Sequence, residues 1–338
     1  MWNAKRPVMT AAQKERTETK AQKSQPFCDV SVFLPADFTL DSGETLSRPE
    51  LKVRVYGDLE NPAIVVTGGI SAGRAVADCK DGKGWWREIV APGGHIDLDD
   101  YCVIGFDFLP NAGETARTIT TRDHARALAD ALDVLNIEKL HAFVGASYGG
   151  MIGLAFANEF PERIEKLCAI SAPDRAHPAA TALRGVQRRI VNFGIKAGDA
   201  KSGVALARQL AMVTYRTPEE FAARFSAEPG EAAGEAYDVC EYLVARGNAY
   251  DMDPRRYVTL SDSIDRHRVD ARKLKIKSLF IAATSDRLAP LADLQRLASE
   301  VKGARLVEID SLYGHDAFLK ETGAIGPHIK TFLKEKKS

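Results

Sequence analysis

Residues 141–151 read His-Ala-Phe-Val-Gly-Ala-Ser-Tyr-Gly-Gly-Met, and the fold turns on how they are read. Ala142–Val144 are an apolar run of strand type, and MIGLAFANEF from Met151 onward is helical. Between them stands Gly145-Ala146-Ser147-Tyr148-Gly149, a G-x-S-x-G at a strand-to-helix turn. Glycines on either side let the chain turn tightly and let the helix pack close to the strand. Ser147 is thereby expected above a sheet edge, at a helix N-terminus whose dipole favours negative charge. A glycine-rich turn without chemistry has the same letters, so the rest of the chain must decide.

Working outward, Asp29–Phe33 and Leu51–Tyr56 have the alternation or short apolar run of early strands. Ala63–Thr67, Tyr101–Phe106, Leu167–Ile170, Ser278–Ala283 and Arg305–Ile309 are apolar runs of five or so residues, the signature of strands covered on both faces. Helical stretches separate them; in Arg122–Leu135 the residues Ala125, Leu128, Ala129, Leu132 and Leu135 recur at helical spacing. Such alternation predicts an α/β fold with a mostly parallel sheet and helices on both faces. From Asp174 to Arg268 the strands stop, and Ala179–Phe193, Ser202–Thr214, Pro218–Ala223 and Gly234–Ala249 read as amphipathic helices. The expected organisation is a polar, mobile tail at 1–27, a core at 28–173 and 269–338, and a helical cap inserted at 174–268.

Composition excludes several classes. In 338 residues, 46 Lys and Arg balance 46 Asp and Glu, which leaves no basic field for nucleic acid or an anionic membrane. No run approaches the roughly 18 apolar residues of a membrane span. Five cysteines, odd in number and without C-x-x-C spacing, argue against a disulfide framework or a structural zinc site and fit a reducing cytosol.

A serine hydroxyl needs a base, and the base needs a carboxylate to fix its tautomer. Asp286 follows the strand SLFIAAT and His315 follows the strand RLVEI, so both are placed past the C-terminal ends of strands, as Ser147 is. Asp310 also follows a strand but precedes His315 by only five residues. His95, His124, His141, His177 and His267 fall elsewhere in the pattern and are expected to be surface or structural residues. Two backbone N–H groups should complete an oxyanion hole: Tyr148 after the serine, and Ile70 in the loop Gly68-Gly69-Ile70-Ser71 after the strand AIVVT.

With these residues in place, the chain resembles the homoserine O-acyltransferases of the α/β-hydrolase superfamily. The matching segments are GWWREIVAPG at 84–93, VGASYGGM at 144–151, VQRRI at 186–190, ARQLAMVTYRT at 207–217 and YGHDAFLK at 313–320. The resemblance implies an α/β-hydrolase fold and an acyl-enzyme cycle, with acyl-coenzyme A as co-substrate and no resident cofactor or metal. It implies Arg188 for the homoserine carboxylate, Asp316 for the ammonium group, and Tyr215 beside the same pocket. It also implies acetyl as the preferred donor and a role in methionine synthesis; the cytoplasm follows from the cysteine usage, and a projecting helical cap leads to the expectation of a homodimer. Where longer members carry a Gly-rich segment that shapes the acyl pocket, this chain has DFLPNAGETART at 107–118, so it resembles a shorter branch. The competing readings are a homoserine or serine O-succinyltransferase, a serine esterase on the same triad, and a non-catalytic binding protein.

Overall fold

The computed structural model describes residues 27–46, 49–110, 117–229 and 237–336. The tail expected at the N-terminus, apart from Phe27, lies outside the described residues, as does 111–116 of the segment that departs from the longer relatives.

Strands β1 (Phe27–Phe33), β2 (Glu50–Tyr56) and β3 (Ala63–Thr67) are followed by a two-residue pair, β4 (Val90–Ala91) and β5 (Ile96–Asp97). Then come β6 (Cys102–Phe106), β7 (Ala142–Ala146), β8 (Lys166–Ile170), β9 (Lys277–Ala283) and β10 (Arg305–Ile309). All but the short pair join one sheet in the order β1-β2-β6-β3-β7-β8-β9-β10. β1 and β2 enter antiparallel, and from β6 to β10 every pairing is parallel. The α/β fold read from the sequence is therefore the fold of the chain, including each strand that the apolar runs marked.

The central runs are almost wholly apolar because both faces are covered. Val65, Ile104, Phe143, Leu167 and Phe280 point into one core with helices α1 (Thr121–Val134), α2 (Tyr148–Glu159) and, further on, Leu291–Glu300. Their strand neighbours Val66, Val103, Val144, Cys168 and Ile281 point into the other, where Trp86, Phe318 and the C-terminal helix pack. Each fully buried aliphatic side chain contributes roughly 1.5–3 kcal/mol. α1 begins with a reciprocal cap: Thr120 accepts from the Asp123 N–H, and the Asp123 carboxylate accepts from the Thr120 N–H.

Between β8 and β9 lie α3 (Pro178–Lys196), α4 (Ala200–Tyr215), α5 (Pro218–Arg224), α6 (Asp238–Asn248) and α7 (Pro254–Arg266). The sequence reading has no counterpart for α7. Its buried face is Tyr257, Thr259, Leu260, Ser261 and Ser263, so small polar residues hide a helix that is in fact packed inward. The chain enters and leaves this helical block side by side, where the Val269 N–H donates to the Asp174 carbonyl at 3.0 Å. α8 (Leu291–Glu300), the single turn α9 (Ala317–Lys320) and α10 (Thr322–Lys334) complete the fold.

Candidate active site

Ser147 occupies the strained corner between β7 and α2. Its φ of 53° and ψ of −124° put a non-glycine residue in the left-handed half of the backbone map, at a cost of about 1–3 kcal/mol. Bonds on both sides hold the corner: Ser147 N–H to the Ile170 carbonyl at 2.8 Å, and Met151 N–H to the Ser147 carbonyl at 3.0 Å. The flanking glycines are required by contact. A Cβ on Gly145 would lie 2.4 Å from the Gly149 carbonyl oxygen, and one on Gly149 would lie 2.5 Å from the Thr67 hydroxyl.

The Ser147 hydroxyl lies 2.7 Å from Nε2 of His315, and Nδ1 of His315 lies 2.7 Å from Oδ2 of Asp286. The other Asp286 oxygen accepts from the N–H groups of Leu288 (2.8 Å) and Ala289 (3.0 Å), which locks the carboxylate in place. With Nδ1–H directed at Asp286, the Nε2 lone pair is free to accept the serine proton. Burial opposes the imidazolium, but the adjoining Asp286 carboxylate more than offsets it, so the His315 pKa is raised. Asp310 turns instead toward the Thr284 hydroxyl. His315 sits under the cap because Gly314, at φ 57°, meets the Tyr215 carbonyl so closely that a Cβ would lie 2.7 Å from it.

The loop after β3 is fastened to the corner by the Gly149 N–H, which donates to the Gly68 carbonyl at 2.8 Å. The Ala72 N–H closes a turn on the Gly69 carbonyl at 2.8 Å. Among the described residues, the N–H groups of Ile70 and Tyr148 have no hydrogen-bond partner, and Ile70 lines the same cavity as Ser147 and His315. The Tyr148 side chain points away, into the core, where its hydroxyl meets Ser263 at 2.7 Å.

Cap and core share the walls of this cavity. Asp316 and Tyr215 line it, with the Tyr215 ring centre 6.1 Å from that of His315. Oδ2 of Asp316 accepts from Arg216 at 2.9 Å, and Oδ1 has no partner among the described residues. Arg188 stands elsewhere. Its guanidinium donates to Asp265 (2.6 Å) and to the Ser261 carbonyl (2.9 Å), and it lines a separate cleft with Arg117 and Arg189. The arginines that line the cavity are Arg184, one turn earlier on α3, and Arg208 on α4, neither of which the sequence reading named. Arg208 lies 5.4 Å from the Tyr215 ring centre and 4.7 Å from that of Tyr250, with no carboxylate partner among the described residues. The signal for it was in the segment ARQLAMVTYRT: Arg208 precedes Tyr215 by seven residues, two helical turns, and so shares its face.

Trp85 forms part of the cavity wall, whereas Trp86 is buried and donates its indole N–H to the Phe318 carbonyl at 2.9 Å. Of the other described histidines, His124, His141, His177 and His267 bond within the scaffold, as in Thr121 to His267 (2.7 Å) and His141 to the Leu333 carbonyl (2.9 Å), whereas the buried Nδ1 of His95 has no partner among the described residues. Among the described residues no cluster of three or more His, Cys, Asp or Glu could hold a metal, and no helix is long and apolar enough to cross a membrane.

Residues 62–322 match the family model described as the alpha/beta hydrolase fold. The chain is 42% identical over 291 residues to the homoserine O-succinyltransferase of Xanthomonas campestris pv. campestris, covering 84% of this chain and 79% of the relative. It is 35% identical over 283 residues to the homoserine O-acetyltransferase of Thermus thermophilus, covering 74% and 72%. Among solved structures, the homoserine O-acetyltransferase from Bacillus anthracis superposes with a TM-score of 0.85 over 93% of this chain and 99% of that one; at 18% identity this speaks to the fold alone.

Proposed function

Because the chain belongs to the homoserine O-acetyltransferase family of the α/β-hydrolase superfamily, we propose that it acylates the hydroxyl of L-homoserine in two steps through a covalent acyl-Ser147. In the first step His315 takes the Ser147 proton as the oxygen attacks the thioester carbonyl of acyl-coenzyme A. The developing oxyanion is received by the N–H groups of Tyr148 and Ile70. The carbon–sulfur bond then breaks, and His315 returns the proton to the departing thiolate. In the second step His315 deprotonates the homoserine hydroxyl, which attacks the acyl-serine, and the proton goes back to Ser147. Asp286 holds the imidazole in the required tautomer throughout.

The observation that carries this reading is the juxtaposition of the Ser147–His315–Asp286 relay with two groups of opposite charge. Arg208, Asp316 and Tyr215 all line the cavity, with the Arg208 guanidinium 5.4 Å from the Tyr215 ring centre. A zwitterion is matched at both ends by such a pair, whereas an esterase for neutral substrates has no use for it. We accordingly assign the homoserine carboxylate to Arg208 in place of Arg188, the ammonium group to Asp316, and Tyr215 to the wall between them. The family's place in methionine synthesis suits a cytosolic enzyme.

Incubation with homoserine or serine together with acetyl- or succinyl-coenzyme A tests the reading, with thiol release and product mass as the readouts. O-acylhomoserine with matching thiol release is expected; thiol release at an equal rate without an acceptor would point to hydrolysis.

A further inference from the structure

Once homoserine is matched, one guanidinium edge in the cavity is left over. Asp265, on α7, is gripped by two cations: Arg184 holds Oδ1 at 2.7 Å and Arg188 holds Oδ2 at 2.6 Å. The Thr181 hydroxyl donates to the same carboxylate at 2.9 Å. Two guanidiniums on one carboxylate leave a net positive charge in a cluster whose side chains are all at most 18% exposed. Arg188 uses Nη1 on Asp265 and Ser261 and lines the separate cleft, not the cavity. Arg184 lines the cavity, reaches Asp265 through Nε and Nη2, and keeps Nη1 without a partner among the described residues. It is close enough to His315 to bear on the charge of the imidazole.

With Asp265 shared between two guanidiniums, the surplus positive charge of so enclosed a cluster is costly to leave without a counter-charge. An acetyl group, a bare methyl beyond the carbonyl, offers it nothing. From this geometry we propose that the acyl donor is the coenzyme A thioester of a short dicarboxylic acid, such as succinyl, and that Arg184 is the specificity residue that receives its far carboxylate. The inference rests on the acyl-enzyme reading above and replaces the acetyl donor implied by resemblance. The chemistry is unchanged: Ser147 Oγ bonds to the thioester carbonyl carbon, the carbon–sulfur bond breaks, and the serine proton leaves through His315 with the thiol. Arg184 binds only the far end of the acyl chain. The Arg188–Asp265 pair behind it fixes its direction, so it is pre-set for a planar, two-pronged carboxylate.

The test compares two donors of equal length that differ in that one group, succinyl- and butyryl-coenzyme A, each by the rate of acyl-Ser147 formation without homoserine, read by intact-protein mass. In the unaltered protein succinyl should be favoured by on the order of 100-fold in kcat/KM, as a charge-assisted, partly desolvated contact requires. In Arg184→Met the ratio should fall to within a few-fold of one, while the KM for homoserine moves little. Because the readout is a ratio, loss of folded protein in the variant does not mimic the result. A parent that does not favour succinyl- over butyryl-coenzyme A overturns the proposal, and so does a variant that keeps the succinyl preference. If no thioester acylates Ser147, it is the acyl-enzyme reading that fails, and the proposal falls with it.

Discussion

At the scale of single residues, the account makes Ser147 and His315 one unit, so each should be indispensable. Ser147→Ala and His315→Ala should each lower turnover by about four orders of magnitude or more, measured as homoserine-dependent thiol release. The pH profile follows from His315. Its pKa lies above the ordinary histidine value of 6.5, and only the neutral ring can take the serine proton. The acid limb of kcat/KM should therefore have its midpoint above 6.5, with activity lost as pH falls through it. Asp286→Asn, which removes the carboxylate responsible, should move that midpoint down while cutting the rate. These three residues were legible in the sequence because each sits just past a strand end, and strand ends are what apolar runs reveal. Arg188 against Arg208 and Arg184 was a different problem. All three are helix cations, and which one turns inward depends on how α3, α4 and α7 pack, which no local spacing records.

At the scale of elements, the loop proposed to complete the oxyanion hole is held from two sides. The Gly149 N–H fastens it to α2, and the Tyr250 hydroxyl meets the Ser71 hydroxyl at 3.0 Å from the cap. Arg208 lies over the same Tyr250 ring, so the proposed carboxylate site and the loop share a support. Tyr250→Phe should lower kcat by roughly 3–10-fold, the worth of one such hydrogen bond, with the KM for homoserine little changed. A loss of that size in the rate of acyl-Ser147 formation, measured without homoserine, would fit this role. Gly149→Ala should destabilise the fold by about 1–3 kcal/mol, since its Cβ would meet Thr67 on the neighbouring strand. A denaturant melt measures it. The central strands could be read from letters because burial on both faces leaves β6 and β7 wholly apolar and confines the polar residues of β3, β8 and β9 to their ends. α7 could not, because its inward face is built from Thr259, Ser261 and Ser263 and its hydroxyls pass for surface.

At the scale of the whole molecule, cap and core are joined by buried polar contacts that respond to pH. His124, on α1, is fully buried, and desolvation holds its pKa down near 4; His267, where the cap rejoins the core, is alike. Both are neutral when folded and regain an ordinary pKa near 6.5 when unfolded, so the unfolded state binds more protons between those values. Their contribution to stability is complete above about pH 6.5 and is lost as pH falls toward 4. Melting temperature should drop across that window, and His267→Gln should flatten part of the slope. The central claim, that acyl groups pass through Ser147 to homoserine, is tested most directly by the mass of the intact protein. After acyl-coenzyme A alone the parent should gain one acyl group, Ser147→Ala none, and added homoserine should remove it with O-acylhomoserine as the product. Acylation that persists in Ser147→Ala, or an acyl group that leaves only to water, would contradict the account.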